Sequence, residues 1–277
     1  MKRWLLPALL LSVSTASAER LPSVEMFIRR GQYRLAVTAA NKQLLKQPDN
    51  VEIQAILGVA WAKNSFYADA LGAFSLSQGA TYYEDQGLAA HADALRAVGR
   101  GEEAAALRME RYLAEDLGEG RSILLLLAAA DDMRSIGDHA SAQDFIDRAR
   151  AIYPRSPMVH AVQAELLLDQ GNLEEADSVI WLMVRLGGTS RGAAVRVRRA
   201  FLDLDYAEAR AILDDARKYR NPTPRLASLR AEVERLDGDP HAAADILERN
   251  RWMSLEAAEL FQVCLLYTSD AADDSAC

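Results

Sequence analysis

The chain has 277 residues, half of them apolar and 26% charged, with a formal net charge of −8. That composition fits a folded protein and not a disordered chain, and the length allows one or two compact domains or one long repeat array. The acidic balance argues against nucleic acid as a partner.

In chain order, the first segment is MKRWLLPALLLSVSTASA. Lys2 and Arg3 form a basic start, Trp4 to Val13 a short apolar core, and Ala16-Ser17-Ala18 a small-residue cleavage site. The pattern predicts a cleaved secretory leader over residues 1–18, with the mature chain starting near Glu19 and exported, in a bacterium to the periplasm. The alternative is an N-terminal anchor helix, although the apolar run is short for a membrane span. No cysteine follows the apolar core, which argues against a lipoprotein anchor. The most apolar later stretch, Ile123 to Ala130, has eight residues followed by Asp131 and Asp132, so it is expected as a buried helix and not a span.

From there the chain repeats. Small residues that follow a turn signal stand at Ala36, Ala70, Ala104, Ala142, Ala176, Ala209 and Ala243, at spacings of 34, 34, 38, 34, 33 and 34. A second small residue precedes most of them by twelve positions, at Gly58, Ala92, Ala130, Ala164 and Ala231, with Val197 as the exception. Between the two markers stand Gly31, Gly99, Gly137, Gly171 and Gly238, often followed by Asp or Asn. Glycine suits the left-handed position that closes one helix, and Asp or Asn suits the N-cap of the next. Pro48, Pro154 and Pro222 fall where the second helix should stop. Each unit is therefore a helix, a tight turn, a second helix and a connector. Small residues are needed because helices about 8–10 Å apart leave little room at their crossing. No run alternates with period two, so the expected class is all-α.

This pattern resembles the tetratricopeptide repeat. The unit starting at Val51 carries the resemblance in Leu57, Gly58, Trp61, Tyr67, Ala70 and Phe74, and the unit starting at Pro157 in Ala164, Leu167, Gly171, Ala176 and Ile180. The resemblance implies an α-solenoid of about seven helix-turn-helix repeats within residues 19–263. The units lie near 17–50, 51–84, 85–122, 123–156, 157–189, 190–223 and 224–257. The sixth departs most, with Val197 at the small position and Leu204 where glycine is usual, and is expected to be the loosest. The four extra residues before the fourth unit fall at Leu117 to Gly120, a natural loop.

A truncated eighth helix is expected at 254–263. The next ten residues, CLLYTSDAAD, break the pattern and contain Cys264. They resemble the translated read-through of a transposase-type sequencing adapter, so residues 264–277 are expected to be a non-native tail, the alternative being a genuine acidic tail or a cysteine redox site. On this reading the natural chain is known only to about Val263, its own C-terminus is missing, and the part before the tail has no cysteine. It remains acidic once Lys2, Arg3, Asp270, Asp273 and Asp274 are set aside.

Signals for catalysis are weak. His91, His139, His160 and His241 include no pair at the i, i+4 spacing of a helical zinc site. His139 and His241 fall in or beside turns, where solvation is expected, while His91 and His160 sit on first helices and suit packing. Neither a phosphate loop nor a nucleophile elbow is present. The adjacent acids Asp131 and Asp132 point to different sides of a helix and make a poor acid–base dyad. The expectation is no enzyme, no metal and no cofactor. Arg191, Arg196, Arg198 and Arg199 cluster, either for an anionic contact or as a solvated face balanced by nearby acids. Tyr82 and Tyr83 suit contact or the cover of a helix end, and Trp181 within VIWLMV is expected in the core.

The resemblance assigns the concave groove to the first helix of each unit. Its ninth position is Val59, Asp93, Asp131, Glu165, Arg198 and Glu232, and its twelfth is Ala62, Arg96, Arg134, Leu168, Phe201 and Arg235. An acid followed by Arg three residues later recurs at Asp93/Arg96, Asp131/Arg134 and Glu232/Arg235, a spacing that permits surface pairing. The candidate partner-binding residues are Asp93, Arg96, Asp131, Arg134, Glu165 and Leu168. A row of Asp93, Asp131 and Glu165 would favour a cationic or amide-rich segment, with Leu124, Leu127 and Leu168 adding apolar contact, and reversing its charge would leave stability nearly unchanged. The resemblance implies an exported scaffold that binds a protein or peptide, in a bacterium for assembly of an envelope machine such as a pilus, secretion apparatus or polysaccharide exporter. The alternative is the helical N-terminal region of a longer cell-wall enzyme.

Overall fold

A computed structural model describes residues 22–113, 119–187, 189–216 and 224–250. The leader, the truncated eighth helix and the tail fall outside the described residues. The described residues form fourteen α-helices and no strand. They are α1 (Pro22–Arg29), α2 (Tyr33–Leu44), α3 (Val51–Lys63), α4 (Tyr67–Ser75), α5 (Leu88–Ala97), α6 (Gly101–Leu113) and α7 (Glu119–Ser135), then α8 (His139–Ile152), α9 (Pro157–Asp169), α10 (Leu173–Leu186), α11 (Ser190–Leu202), α12 (Tyr206–Ala216), α13 (Pro224–Leu236) and α14 (Pro240–Asn250). They pack as successive antiparallel pairs, the all-α solenoid that the repeat implied.

One turn recurs in every pair. The left-handed position is taken by Gly31, Gly99, Gly137, Gly171 and Gly238, and in the remaining two pairs by Ser65 (φ 56°) and Leu204 (φ 57°). Behind it, the next backbone N–H donates to the carbonyl five residues earlier: Gln32 to Phe27, Phe66 to Trp61, Arg100 to Leu95, Asp138 to Met133, Asn172 to Leu167, Asp205 to Ala200 and Asp239 to Glu234. This 6→1 bond satisfies a carbonyl that the helix end would otherwise orphan. Asp138, Asp205 and Asp239 then cap the second helix, accepting from the N–H groups of Ser141, Glu208 and Ala242.

The small-residue markers sit at the helix crossings. All seven repeat alanines, from Ala36 to Ala243, are fully buried. Ala92, Ala130, Ala164 and Ala231 are buried opposite them, and Val197 is too, so the sixth unit accommodates the larger side chain within the same packing. At Gly58 the approach is closest: an added Cβ would lie 2.6 Å from the Phe74 ring.

The connector before α5 is helical. Thr81 and Tyr82 donate their N–H groups to the Glu52 carboxylate at the start of the same unit, at 2.7 and 3.0 Å, and a π turn over Tyr83–Gly87 leads into α5. Tyr82 packs on the core around α3, where burial and the nearby Glu25 push its phenol up to about 12, against the opposing charge of Arg29. Tyr83 lies against Phe74 and bonds to Nδ1 of His91 at 2.7 Å. The tyrosine pair thus covers a helix end.

Trp181 corrects an expectation. It is 60% exposed, with the Arg185 guanidinium stacked 4.7 Å from its ring centre. The buried stripe of α10 runs through Ala176, Val179, Ile180 and Met183. At 3.6 residues per turn, Trp181 falls on the far side of that stripe.

First helices of successive units touch one another, α3 with α5, then α7 with α9, α9 with α11, and α11 with α13. Second helices make no comparable contact, so the stack curves with the first helices on the inside. Between α5 and α7 the row of first helices breaks, and α6 instead packs along the length of α7. This seam coincides with the four extra residues in the sequence.

Candidate functional site: the inner face and its ion clusters

The expected i, i+3 pairs form: Asp93 with Arg96 at 3.6 Å, Asp131 with Arg134 at 2.9 Å, and Glu232 with Arg235 at 2.6 Å. They are fragments of larger clusters. Asp131 and Asp132, adjacent on α7, turn into two different ones, as their helical angle requires.

The first cluster fills the seam. Arg108 of α6 donates from Nε to Asp132 of α7 and from Nη2 to Asp93 of α5, each at 2.7 Å, while Arg96 stands 3.8 Å from the other oxygen of Asp132. Asp132 is fully buried, and its Oδ1 has no hydrogen-bond partner. Burial pushes this carboxyl up to about 6, against the pull of Arg108 and Arg96.

The second cluster joins α7, α9, α11 and α13. Glu165 of α9 receives Arg134 of α7 at 2.6 Å, Arg191 of α11 at 2.5 Å and Arg225 of α13 at 3.2 Å. Asp131 is also bound by Arg191, at 2.6 Å. Asp169, one helical turn beyond Glu165, takes Arg134 and Arg198, each at 2.7 Å. Burial raises the Asp131 and Asp169 carboxyls, but Arg191 and Arg134 on the first, and Arg134 and Arg198 on the second, outweigh it and hold both below the usual carboxylate range. Glu165 tolerates burial because three guanidiniums surround it: Oε2 takes charge-assisted bonds from Arg134 and Arg191, while Oε1 has only the longer contact with Arg225 and no hydrogen-bond partner.

The structure thus brings Asp131, Arg134 and Glu165 together and places Asp93 and Arg96 in the neighbouring seam cluster. Glu165 is 1% exposed, and Leu127 and Leu168 are buried in the helical core, so of the three leucines only Leu124 is open to solvent. The acids are therefore no free row of carboxylates, and reversing them to lysine would break the bonds between units. The spacing within a helix gave no sign of Arg108, Asp132, Asp169 and Arg225 as partners, because these bonds join residues far apart in the chain. The arginine cluster of α11 divides between two sides: Arg191 and Arg198 turn inward, and Arg199 binds Asp177 and Asp203. Its balance by nearby acids is the second of the two readings offered by the sequence.

His91 stacks on Phe74 with ring centres 4.9 Å apart, and His160 is buried with Nε2 3.2 Å from the Pro154 carbonyl. Burial lowers both imidazoles, aided by Arg100 for His91 and, against the Pro154 bond, by Arg150 for His160. His241 is exposed and His139 half-buried. Among the described residues no His, Cys, Asp or Glu grouping suits a metal, and no helix is long and apolar enough to cross a membrane.

Comparison with solved structures places this architecture. A tetratricopeptide repeat protein from Parabacteroides merdae superposes with a TM-score of 0.55 at 16% identity, over 88% of this chain and 96% of that one. One from Thermus thermophilus gives 0.52 at 20% identity, over 66% and 99%. PilW, described as a widely conserved type IV pilus biogenesis factor, gives 0.52 at 14% identity, over 74% and 93%. The chain has the tetratricopeptide-repeat fold. No family model matches the sequence, and no curated protein matches it.

Proposed function

We propose that the chain is an exported, non-catalytic scaffold that holds a segment of another protein along its inner face, in support of assembly of an envelope machine such as a pilus. The observation that carries this reading is the unbroken run of α7, α9, α11 and α13, whose inward side chains are charged and anchored by bonds between units. A rigid, preorganised surface of this kind loses little entropy when a partner docks. In this reading Asp93, Arg96, Asp131 and Arg134 edge the groove, and Glu165 and Leu168 form its floor. The leader-like N-terminus supports export, and the likeness to PilW agrees with an envelope role by analogy of fold.

The test is site-specific photocrosslinking in the cell. A crosslinker replaces Leu124 or Arg198 on the inner face, or Trp181 on the outer. Adducts with one defined envelope protein from the inner sites support the proposal. Adducts from Trp181 alone, with none from Leu124 or Arg198, refute it.

A further inference from the structure

The inner face is layered by charge. Its carboxylates lie at the bottom: Glu165 is 1% exposed, Asp131 18% and Asp169 20%. Arg134 at 12% and Arg191 at 23% lie at the level of these acids, and the outermost charges are Arg198 at 34% and Arg225 at 49%. Four arginines, Arg134, Arg191, Arg198 and Arg225, meet three carboxylates, Asp131, Glu165 and Asp169, so the cluster carries an excess positive charge.

The donors are also in excess. A guanidinium offers five N–H groups. Arg198 reaches Asp169 through Nη2 and Arg225 reaches Glu165 through Nη1, and both side chains remain partly exposed. A carboxylate arriving from solvent would meet unused donors and a positive field; an ammonium would meet the charged faces of arginines, with the acids beneath already bound. Rim charge of this sort selects partners and speeds their capture.

We infer that the inner face of α9, α11 and α13 takes an acidic peptide segment, whose Asp or Glu side chains pair with Arg198 and Arg225. This rests on the inner face being the docking face and adds the sign of the partner, opposite to that suggested by the acids in the sequence. Neighbouring helices about 8–10 Å apart put the three first helices within reach of roughly six extended residues. The chain as a whole is acidic at −8, so it repels long polyanions and leaves this local patch to a short segment.

The experiment is fluorescence anisotropy with the full chain and three labelled probes: a peptide of alternating glutamate and alanine, its lysine counterpart, and an oligothymidine of equal length. The glutamate peptide is expected to bind, to weaken as salt rises, and to lose about tenfold in affinity in the Arg198→Ala/Arg225→Ala variant. Both side chains also bind Asp169 and Glu165, so the melting temperature of that variant is measured as well, and affinities are compared at a temperature where both proteins are folded. Failure of the glutamate peptide to bind, stronger binding of the lysine peptide, equal binding of the oligothymidine, or an unchanged affinity in the double variant would each overturn the inference. If any of these occurs while Leu124 still crosslinks the partner, the docking face stands and only its preference for acid falls; loss of the crosslink removes both.

Discussion

Arg108 and Asp132 bind across the seam between the third and fourth units, Nε to Oδ2 at 2.7 Å, with both side chains withdrawn from solvent. The first helices part at this seam, and the ion pair spans the place where their contact is missing. Arg108 is satisfied on two sides, by Asp132 and Asp93, whereas Asp132 keeps one buried oxygen without a donor. That oxygen is the natural seat for a proton.

A pH dependence follows. The Asp132 carboxyl stands at about 6 in the folded chain, against 3.8 when unfolded. Between these values the folded state binds more protons than the unfolded state, so the contribution of Asp132 to stability falls as pH rises from 4 to 6. Asp131 and Asp169 act in the opposite sense, and theirs is lost only as pH falls below the ordinary carboxylate range. Urea melts of the native chain and Asp132→Asn across pH 4 to 7 isolate the effect. Their stability difference should shift by about 1–3 kcal/mol in that interval, the native chain losing ground as pH rises. A constant difference would mean that Asp132 titrates normally.

The repeat alanines are steric. Ala142 and Ala176 are fully buried where paired helices cross. Ala142→Leu and Ala176→Leu should each destabilise by about 1–3 kcal/mol through overpacking. Glu174→Gln, at an exposed site of α10, should stay within about 0.5 kcal/mol. Denaturant midpoints that coincide for all three would remove crossing distance as the reason for the small residues.

Leu204 holds a left-handed backbone that five of the other turns give to glycine, and its side chain is 72% exposed. Leu204→Gly should therefore raise stability by about 1 kcal/mol, because strain is relieved and little packing is lost. Gly171→Ala should move it the other way by a similar amount, since φ there is 76°. Calorimetry on the two variants compares them directly, and a lower melting temperature for Leu204→Gly would show that the leucine has a packing role.

How much of this was legible in the sequence depends on how local each constraint is. Crossing distance demands a small residue in every unit, so Ala36 through Ala243 mark the phase without any structure. Left-handed turns are visible where glycine fills them and invisible at Ser65, which carries no such mark. Trp181 sits in a run that is apolar throughout, so only the register set by Ala176 decides that it faces outward. The ion clusters were the least legible, because Arg191 reaches Asp131 sixty residues away while the sequence displays only the i, i+3 pairs. The acids alone suggested an open acidic row; the three arginines that surround Glu165 come from other units.

The buried carboxylates tie units together and are not free ligands. A double-mutant cycle on Glu165→Gln and Arg191→Gln, read by equilibrium urea melts, tests this most directly. Each single change should cost about 3 kcal/mol or more, because it strands a buried charge. The pair should cost clearly less than the sum, giving a coupling energy above about 1 kcal/mol. Additive losses with no coupling, or a Glu165→Gln variant as stable as the native chain, would contradict the account.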